Sequence, residues 1–230
     1  MAQNTRLENF LPGSGRILAE ISAPRPDAST PETGVEFKGA GAKRFQVRRT
    51  VVRSGMGVTV LTAGHSNKSI EDFVSMLKAH GVRRLVDIRS VPRSRHNPQF
   101  NLDSLPASLE AAGIAYQHMP ALGGLRRPRK DSINSAWRND SFRGYADYMQ
   151  TPEFEAGLEA LVQLVAREQV VIMCAEAVPW RCHRSLIADA LTVRGAQVDH
   201  IMSTTRTQPH LLTPFAKVSG IHITYPSETG

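Results

Sequence analysis

From Val58 onward the apolar residues fall into short continuous runs that alternate with stripes at helical spacing. "VTVLTAG" (58–64) is an apolar run suited to a buried strand, and Ser69 stands where a cap is needed ahead of "IEDFVSMLKAH". In that segment Ile70, Phe73, Val74 and Leu77 share one helical face, and Gly81 follows as a terminator. "RRLVDIRSV" (83–91) predicts a second strand, the stretch from Leu105 to Ala112 a second helix ended by Gly113, and "IAYQHMP" (114–120) a third strand. Thr151 and Pro152 open a helix through Val165, with Glu153 and Glu155 in its first turns, where the helix dipole favours acids. "VVIMC" (170–174) predicts a strand, "HRSLIADALTVRG" (183–195) a helix closed by Gly195, and "QVDHIM" (197–202) a last strand. Such alternation predicts an α/β fold, an open three-layer Rossmann-like domain whose mainly parallel sheet carries helices on both faces.

The pattern sets the domain at 56–230, with a polar insertion at about 121–150. Residues 1–55 show no sustained period and centre on "SAPRPDASTPETG", so they read as a basic, disordered extension. The basic end of that extension, "KRFQVRRTVVR", reads as a solvated linker, with contact to nucleic acid as the alternative.

Composition and charge narrow the classes. With 230 residues and 41% hydrophobic positions, the chain suffices for one sizeable core. No apolar run approaches the roughly 18 residues of a membrane span, and the start "MAQNTRLENFLPGSGR" lacks the pattern of a secretory signal. A cytoplasmic protein with no membrane partner is expected. Net charge of +7 favours acidic partners, either a phosphate-bearing small molecule or nucleic acid. The stretch from Arg83 to Arg95 is the more telling cluster, with five arginines against Asp87 alone. Oligomeric state is not legible, and no motif asks for a cofactor.

Open parallel sheets bind ligands outside the carboxyl ends of their strands. The residues predicted there include His65, Ser66 and Asn67; Asp87, Arg89 and Arg93; His118; Cys174 and Glu176; and Ser203 to Arg206. Both cysteines of the chain fall in "VVIMCAEAVPWRCHRSLIADAL", where a strand runs out towards a helix start flanked by Arg181 and Arg184. Helix N–H groups with two arginines would cradle an anion and lower the pKa of a nearby thiol. Strand, cysteine, anion-binding loop, arginine and helix is also the arrangement of cysteine phosphatases and rhodanese-type sulfurtransferases. The spacing departs from the phosphatases, because Cys174 and Arg181 enclose six residues instead of five.

Two roles for Cys174 stand side by side: a nucleophile, or a small apolar residue closing a buried strand. Metal binding by Cys182 and His183 with Cys174, His65 or His118 is disfavoured, since an adjacent Cys and His cannot easily face one ion. A Cys174–Cys182 disulfide ranks no higher, because the spacing is not that of a CxxC redox motif. Asp87 is placed to orient His65 or Arg89, Arg89 and Arg93 to clamp an oxyanion, and His65 to act as acid or base; a salt-bridge network at the strand end is the alternative. The insertion mixes five arginines and Lys130 with Trp137, Phe142, Tyr145 and Tyr148. Arg143 and Tyr145 are therefore candidates for charge and stacking contacts with a nucleotide, against the alternative of a lid packed on the core.

Several strings occur together and in order: "TAGHSNKSIEDFVSMLKAHGV", "LVDIRSVPRSRHNPQFN", "LGGLRRPR", "FRGYADYM", "MCAEAVPWRCHRSLIADAL" and "HLLTPFA". Over about 59–226 the chain resembles the bacterial family catalogued as domain of unknown function 488. The resemblance implies an α/β domain with its site around Cys174, Arg181, Cys182, His183 and Arg184, near His65 and Asp87. It brings no reaction with it. Taken together, the residues favour a cysteine-dependent enzyme acting on a phosphate- or other oxyanion-bearing substrate, such as a nucleotide or nucleic acid. A non-catalytic nucleic-acid-binding or metabolite-sensing module using the same basic crevice is the alternative.

Overall fold

The computed structural model describes residues 58–227, so the predicted extension over 1–55 lies outside the described residues. The elements run β1 (Thr59–Gly64), α1 (Ile70–Ala79), β2 (Arg84–Asp87), α2 (Leu105–Ala111), β3 (Ala115–His118), α3 (Asp140–Tyr148), α4 (Pro152–Val165), β4 (Val170–Cys174), α5 (Arg184–Thr192) and β5 (Gln197–Ile201). Three short strands follow: β6 (Thr207–Pro209), β7 (Lys217–Ser219) and β8 (His222–Thr224). Local signals account for the helix starts. Ser69 Oγ accepts the N–H of Asp72 at 3.0 Å, and Thr151 Oγ1 accepts that of Phe154 at 3.3 Å.

The main sheet has the order β3-β2-β4-β1-β5-β6, with β6 antiparallel to β5 and the other pairings parallel. Successive residues of a strand face opposite sides. Leu61, Leu85, Val171 and Met173 therefore meet Phe73 and Leu77 of α1 and Leu105 and Leu109 of α2. Val60, Val86, Val170 and Ile172 meet the other layer, including Leu158 and Leu161 of α4 and Leu186 and Ile187 of α5. The result is an open three-layer α/β fold of Rossmann-like form, with helices on both faces. Among the described residues, no helix is long and apolar enough to cross a membrane.

Two differences from the sequence pattern matter for the site. The strand read over 83–91 is only four residues long in the sheet, since the N–H of Arg89 turns to the Asp87 carboxylate at 3.0 Å instead of to a neighbouring strand. The insertion is folded around one buried acid: Asp147 accepts from the Arg129 N–H at 2.8 Å, Ser132 at 2.6 Å and Asn134 at 2.8 Å. The stretch after β5, left unassigned by the periodicity, forms β6 and the β7–β8 pair.

Candidate functional site

β4 lies between β1 and β2, yet the chain leaves β1 for α1 on one face and β4 for α5 on the other. Divergent exits of neighbouring parallel strands leave a crevice at the sheet's carboxyl edge. It holds a cavity of about 790 Å³. Its walls include His65, Ser66 and Asn67 after β1, Arg89 and Arg93 after β2, and Cys174, Glu176, Arg181, Cys182 and His183 around the β4–α5 connection. Among the described residues Glu176 is the only carboxylate lining it.

The loop after β1 is drawn tightly to the loop after β4. The N–H groups of His65 and Ser66 donate to the carbonyls of Cys174 and Ala175 at 3.1 and 2.9 Å. Gly64 permits the approach, because a Cβ there would sit 1.8 Å from the Glu176 carbonyl oxygen. Ser66 then takes a φ of 51°, in the left-handed region that costs a residue with a side chain some strain.

On the α5 side, Cys174 closes a fully buried strand, is 2% exposed and lines the cavity. Arg184 is 1% exposed, and its guanidinium donates to Cys174 Sγ at 2.8 Å, to the Ala177 carbonyl at 2.9 Å and to the Glu176 carbonyl. Its Nε has no partner among the described residues. No carboxylate pairs with it among the described residues. Burial pushes the Cys174 thiol up, but the Cys182 thiol, the charge and hydrogen bond of Arg184, and the backbone at Glu176 outweigh it, and the value falls to about 7. Cys182 moves the other way: burial, and the electron-rich sulfur of Cys174 beside it, hold its proton well above the usual thiol range.

His183 precedes α5 and is kept neutral chiefly by burial, which lowers it to about 4. Its Nε2 lies 3.2 Å from the Ile88 carbonyl and its Nδ1 3.6 Å from Cys182 Sγ. An Nε2–H donated to that carbonyl leaves the Nδ1 lone pair facing the thiol. Gly124 packs against the ring, where a Cβ would come within 2.4 Å.

The α1 side holds a second buried arginine. Arg89 forks onto Asp87, with Nε–Oδ1 at 2.9 Å and Nη2–Oδ2 at 2.6 Å, and Nη2 also reaches the Phe100 carbonyl at 2.7 Å. Tyr116 adds a hydroxyl to Asp87 at 3.0 Å. Arg89 Nη1 donates to His65 Nε2 at 3.3 Å, while His65 Nδ1 lies 2.8 Å from the Ser66 carbonyl and the ring stacks on Phe100 at 4.2 Å. Burial lowers His65 to about 4, so its ring is neutral with both nitrogens engaged. Asp87 thus acts on His65 through Arg89.

The crevice brings most of the predicted site residues together. Ser66, Asn67, Arg93, Glu176, Arg181, Cys182 and His183 line the cavity with His65, Arg89 and Cys174. Asp87 and Arg184 sit behind it and hold residues that do line it. Arg143 instead pairs with Asp140 on α3, and Tyr145 is fully buried, donating its hydroxyl to the Leu122 carbonyl at 3.0 Å. Ser203 to Arg206 turn the chain into β6, with the Met202 N–H donating to the Arg206 carbonyl, and take no part in the lining. His118 Nε2 lies 2.8 Å from the Arg89 carbonyl, behind the same wall. Ser90, which the strand-end rule places at this edge without a role, accepts the Leu125 N–H with its hydroxyl at 3.1 Å and ties the "LGGL" loop over the cavity. Sequence reasoning missed Phe100 and Tyr116, which nothing but their apolar setting announced. Among the described residues, no group of three or more His, Cys, Asp or Glu is arranged to hold a metal ion.

Fold and site together define a three-layer α/β protein with a buried cysteine–arginine centre at the carboxyl edge of its sheet. The family model described as Domain of unknown function DUF488 matches residues 69–191, and the chain belongs to that family. The matched span is shorter than the 59–226 of the string resemblance but contains Asp87, Arg89, Cys174 and Arg184. No curated protein and no solved structure matches the chain.

Proposed function

We propose that the protein is a thiol-dependent enzyme acting on a substrate that carries a phosphate or another oxyanion, such as a nucleotide or nucleic acid. The observation that carries this reading is Arg184, a buried cation 2.8 Å from Cys174 Sγ with no carboxylate partner among the described residues. A buried charge left unpaired is costly, so the site favours the thiolate as its counter-ion. A thiolate with a pKa near the working pH combines a large ionised fraction with retained nucleophilicity.

The surroundings fit attack on an anion. Because Arg184 draws the Glu176 and Ala177 carbonyls inward, planar trans peptides turn the N–H groups of Ala177 and Val178 the other way. Neither N–H has a partner among the described residues. With the exposed Arg181 and Arg93, they supply donors for a substrate oxyanion. Cys174 forms the new bond to the phosphorus or sulfur centre as the bond to the leaving oxygen breaks. Glu176 is the carboxyl placed to deliver the proton to that oxygen and to take one from water in the second step. His65 enters as a positioning residue for Arg89, since both its nitrogens are engaged.

A non-catalytic module is the competing reading; the cavity arginines fit both, whereas Arg184 against a thiol favours a reactive centre. The need for free thiols also agrees with a reducing, cytoplasmic setting. Turnover of p-nitrophenyl phosphate by the wild type and by Cys174→Ser tests the proposal. Turnover lost in the variant, with its melting temperature retained, is expected. Equal rates in the two proteins, or none in the wild type, would overturn it.

A further inference from the structure

The two cysteines of the chain line the same cavity, and both are bound to one residue: Arg184 donates from its guanidinium to Cys174 Sγ at 2.8 Å and from its backbone N–H to Cys182 Sγ at 3.5 Å. Both are free. Cys182 is 4% exposed and belongs with Cys174 to the same apolar cluster, so little besides its neighbour competes for its sulfur. On its other side stands the Nδ1 lone pair of His183 at 3.6 Å. Nucleophilic transfer by Cys174 alone gives no task to a buried second thiol with a base beside it.

We propose that Cys174 and Cys182 act as a dithiol that reduces hydroperoxides. This rests on the Cys174 thiolate of the previous section. In the first step the Cys174 thiolate attacks the terminal oxygen of the hydroperoxide, the O–O bond breaks, and an alcohol or water leaves after taking up a proton. The cysteine becomes a sulfenic acid. In the second step the Cys182 sulfur attacks Cys174 Sγ while its proton passes, by way of His183 Nδ1, to the departing hydroxide, which leaves as water. One hydroperoxide gains two electrons and the dithiol loses two, leaving a Cys174–Cys182 disulfide. The cavity is roomy enough for a small organic hydroperoxide, and Cys174 is among the residues that line it. The disulfide also removes the anion from Arg184, so the oxidised protein is silent in oxyanion chemistry until a dithiol reductant restores it.

The test treats the full chain with one equivalent of hydrogen peroxide and then blocks remaining thiols with iodoacetamide under denaturing conditions. Trypsin cleaves after Arg181, between the two cysteines, so their peptides stay joined only through a disulfide. The expected result is a joined pair within one chain, separated by dithiothreitol, together with loss of one equivalent of peroxide. Cys174 carried to sulfinic acid while Cys182 remains a thiol would overturn the inference, as would a link between two chains. Native iodoacetamide labelling at neutral pH separates the two proposals. Fast labelling of Cys174 without peroxide-driven pairing sinks only the dithiol; a cysteine inert to both reagents sinks the thiolate reading with it.

Discussion

Two buried arginines flank the cavity and differ in what balances their charge. Arg89 is forked onto the Asp87 carboxylate, which also receives Tyr116 and the Arg89 N–H, so every group there has a fixed partner. Among the described residues, Arg184 has two backbone carbonyls, a thiol and an unpaired Nε. A carboxylate keeps its charge at neutral pH, whereas a thiol near 7 is half ionised and open to a reagent in the cavity. The first pair therefore holds the sheet edge in shape, and the second holds a reactive group. Asp189, on the same helix as Arg184, behaves like the first pair: His210, Thr213 and Tyr225 all donate to it, at 2.8, 2.6 and 2.8 Å, and pin the C-terminal stretch to α5.

The largest expected effect falls on the Asp87–Arg89 side. Asp87→Asn strands a buried guanidinium and should cost about 3–5 kcal/mol, read as a fall in melting temperature. Cys174 in the folded fraction should label at its usual rate. A slowed Cys174 with unchanged stability would reverse the assignment of the two sides.

Acid comes next and touches both sides equally. His65 and His183 titrate at about 4 when folded, against 6.5 unfolded. Between those values the unfolded chain binds protons that the folded one does not, so stability falls as pH drops from 6.5 to 4. Cys174, lowered to about 7 from 9.0, gives a second window in which stability rises from pH 7 to 9. Cys182 opposes it above that range, because its folded-state value is raised. Thermal melts across pH 4 to 9 check both windows. A flat profile below 6.5 would mean that the two imidazoles are not held neutral.

Arg184→Met is the sharper probe of the difference. It should slow Cys174 alkylation at neutral pH by roughly tenfold, the loss of thiolate being partly offset by greater nucleophilicity of a more basic sulfur. Its cost in stability should be smaller than that of Asp87→Asn, because a neutral thiol needs no counter-ion. Unfolding without a change in reactivity would place Arg184 with the structural pair. The smallest effect is Tyr116→Phe, which removes one hydrogen bond from Asp87 and should cost about 1 kcal/mol with no effect on Cys174.

The strand and helix alternation was legible because each core element carries its own apolar period and cap, from Ser69 and Thr151 to the buried run of β4. The three-residue strands after β5 were not, since so few positions display no period. At the site, the rule about strand ends found His65, Arg89 and Cys174, and the sequence named Arg181 and Arg184 together as the thiol's partners without telling them apart. Arg181 is exposed at the cavity wall, and Arg184, three residues later on the inward face of α5, is the one that reaches the sulfur. Sequence distance cannot tell which arginine of a helix start turns inward. Tyr145 was misleading in the same way: its ring suits stacking on a base, yet its hydroxyl finds a carbonyl in the core and the ring packs 4.9 Å from His183.

The central claim is that Arg184 keeps Cys174 ionised in the cavity lining. It is tested most directly by the alkylation rate of Cys174 against pH in the unmodified chain, read on the peptide ending at Arg181, with and without inorganic phosphate. The account predicts a rate that reaches half its maximum near pH 7 and is slowed by phosphate. A midpoint at 9 or above with no protection would show a buried, structural thiol and contradict it.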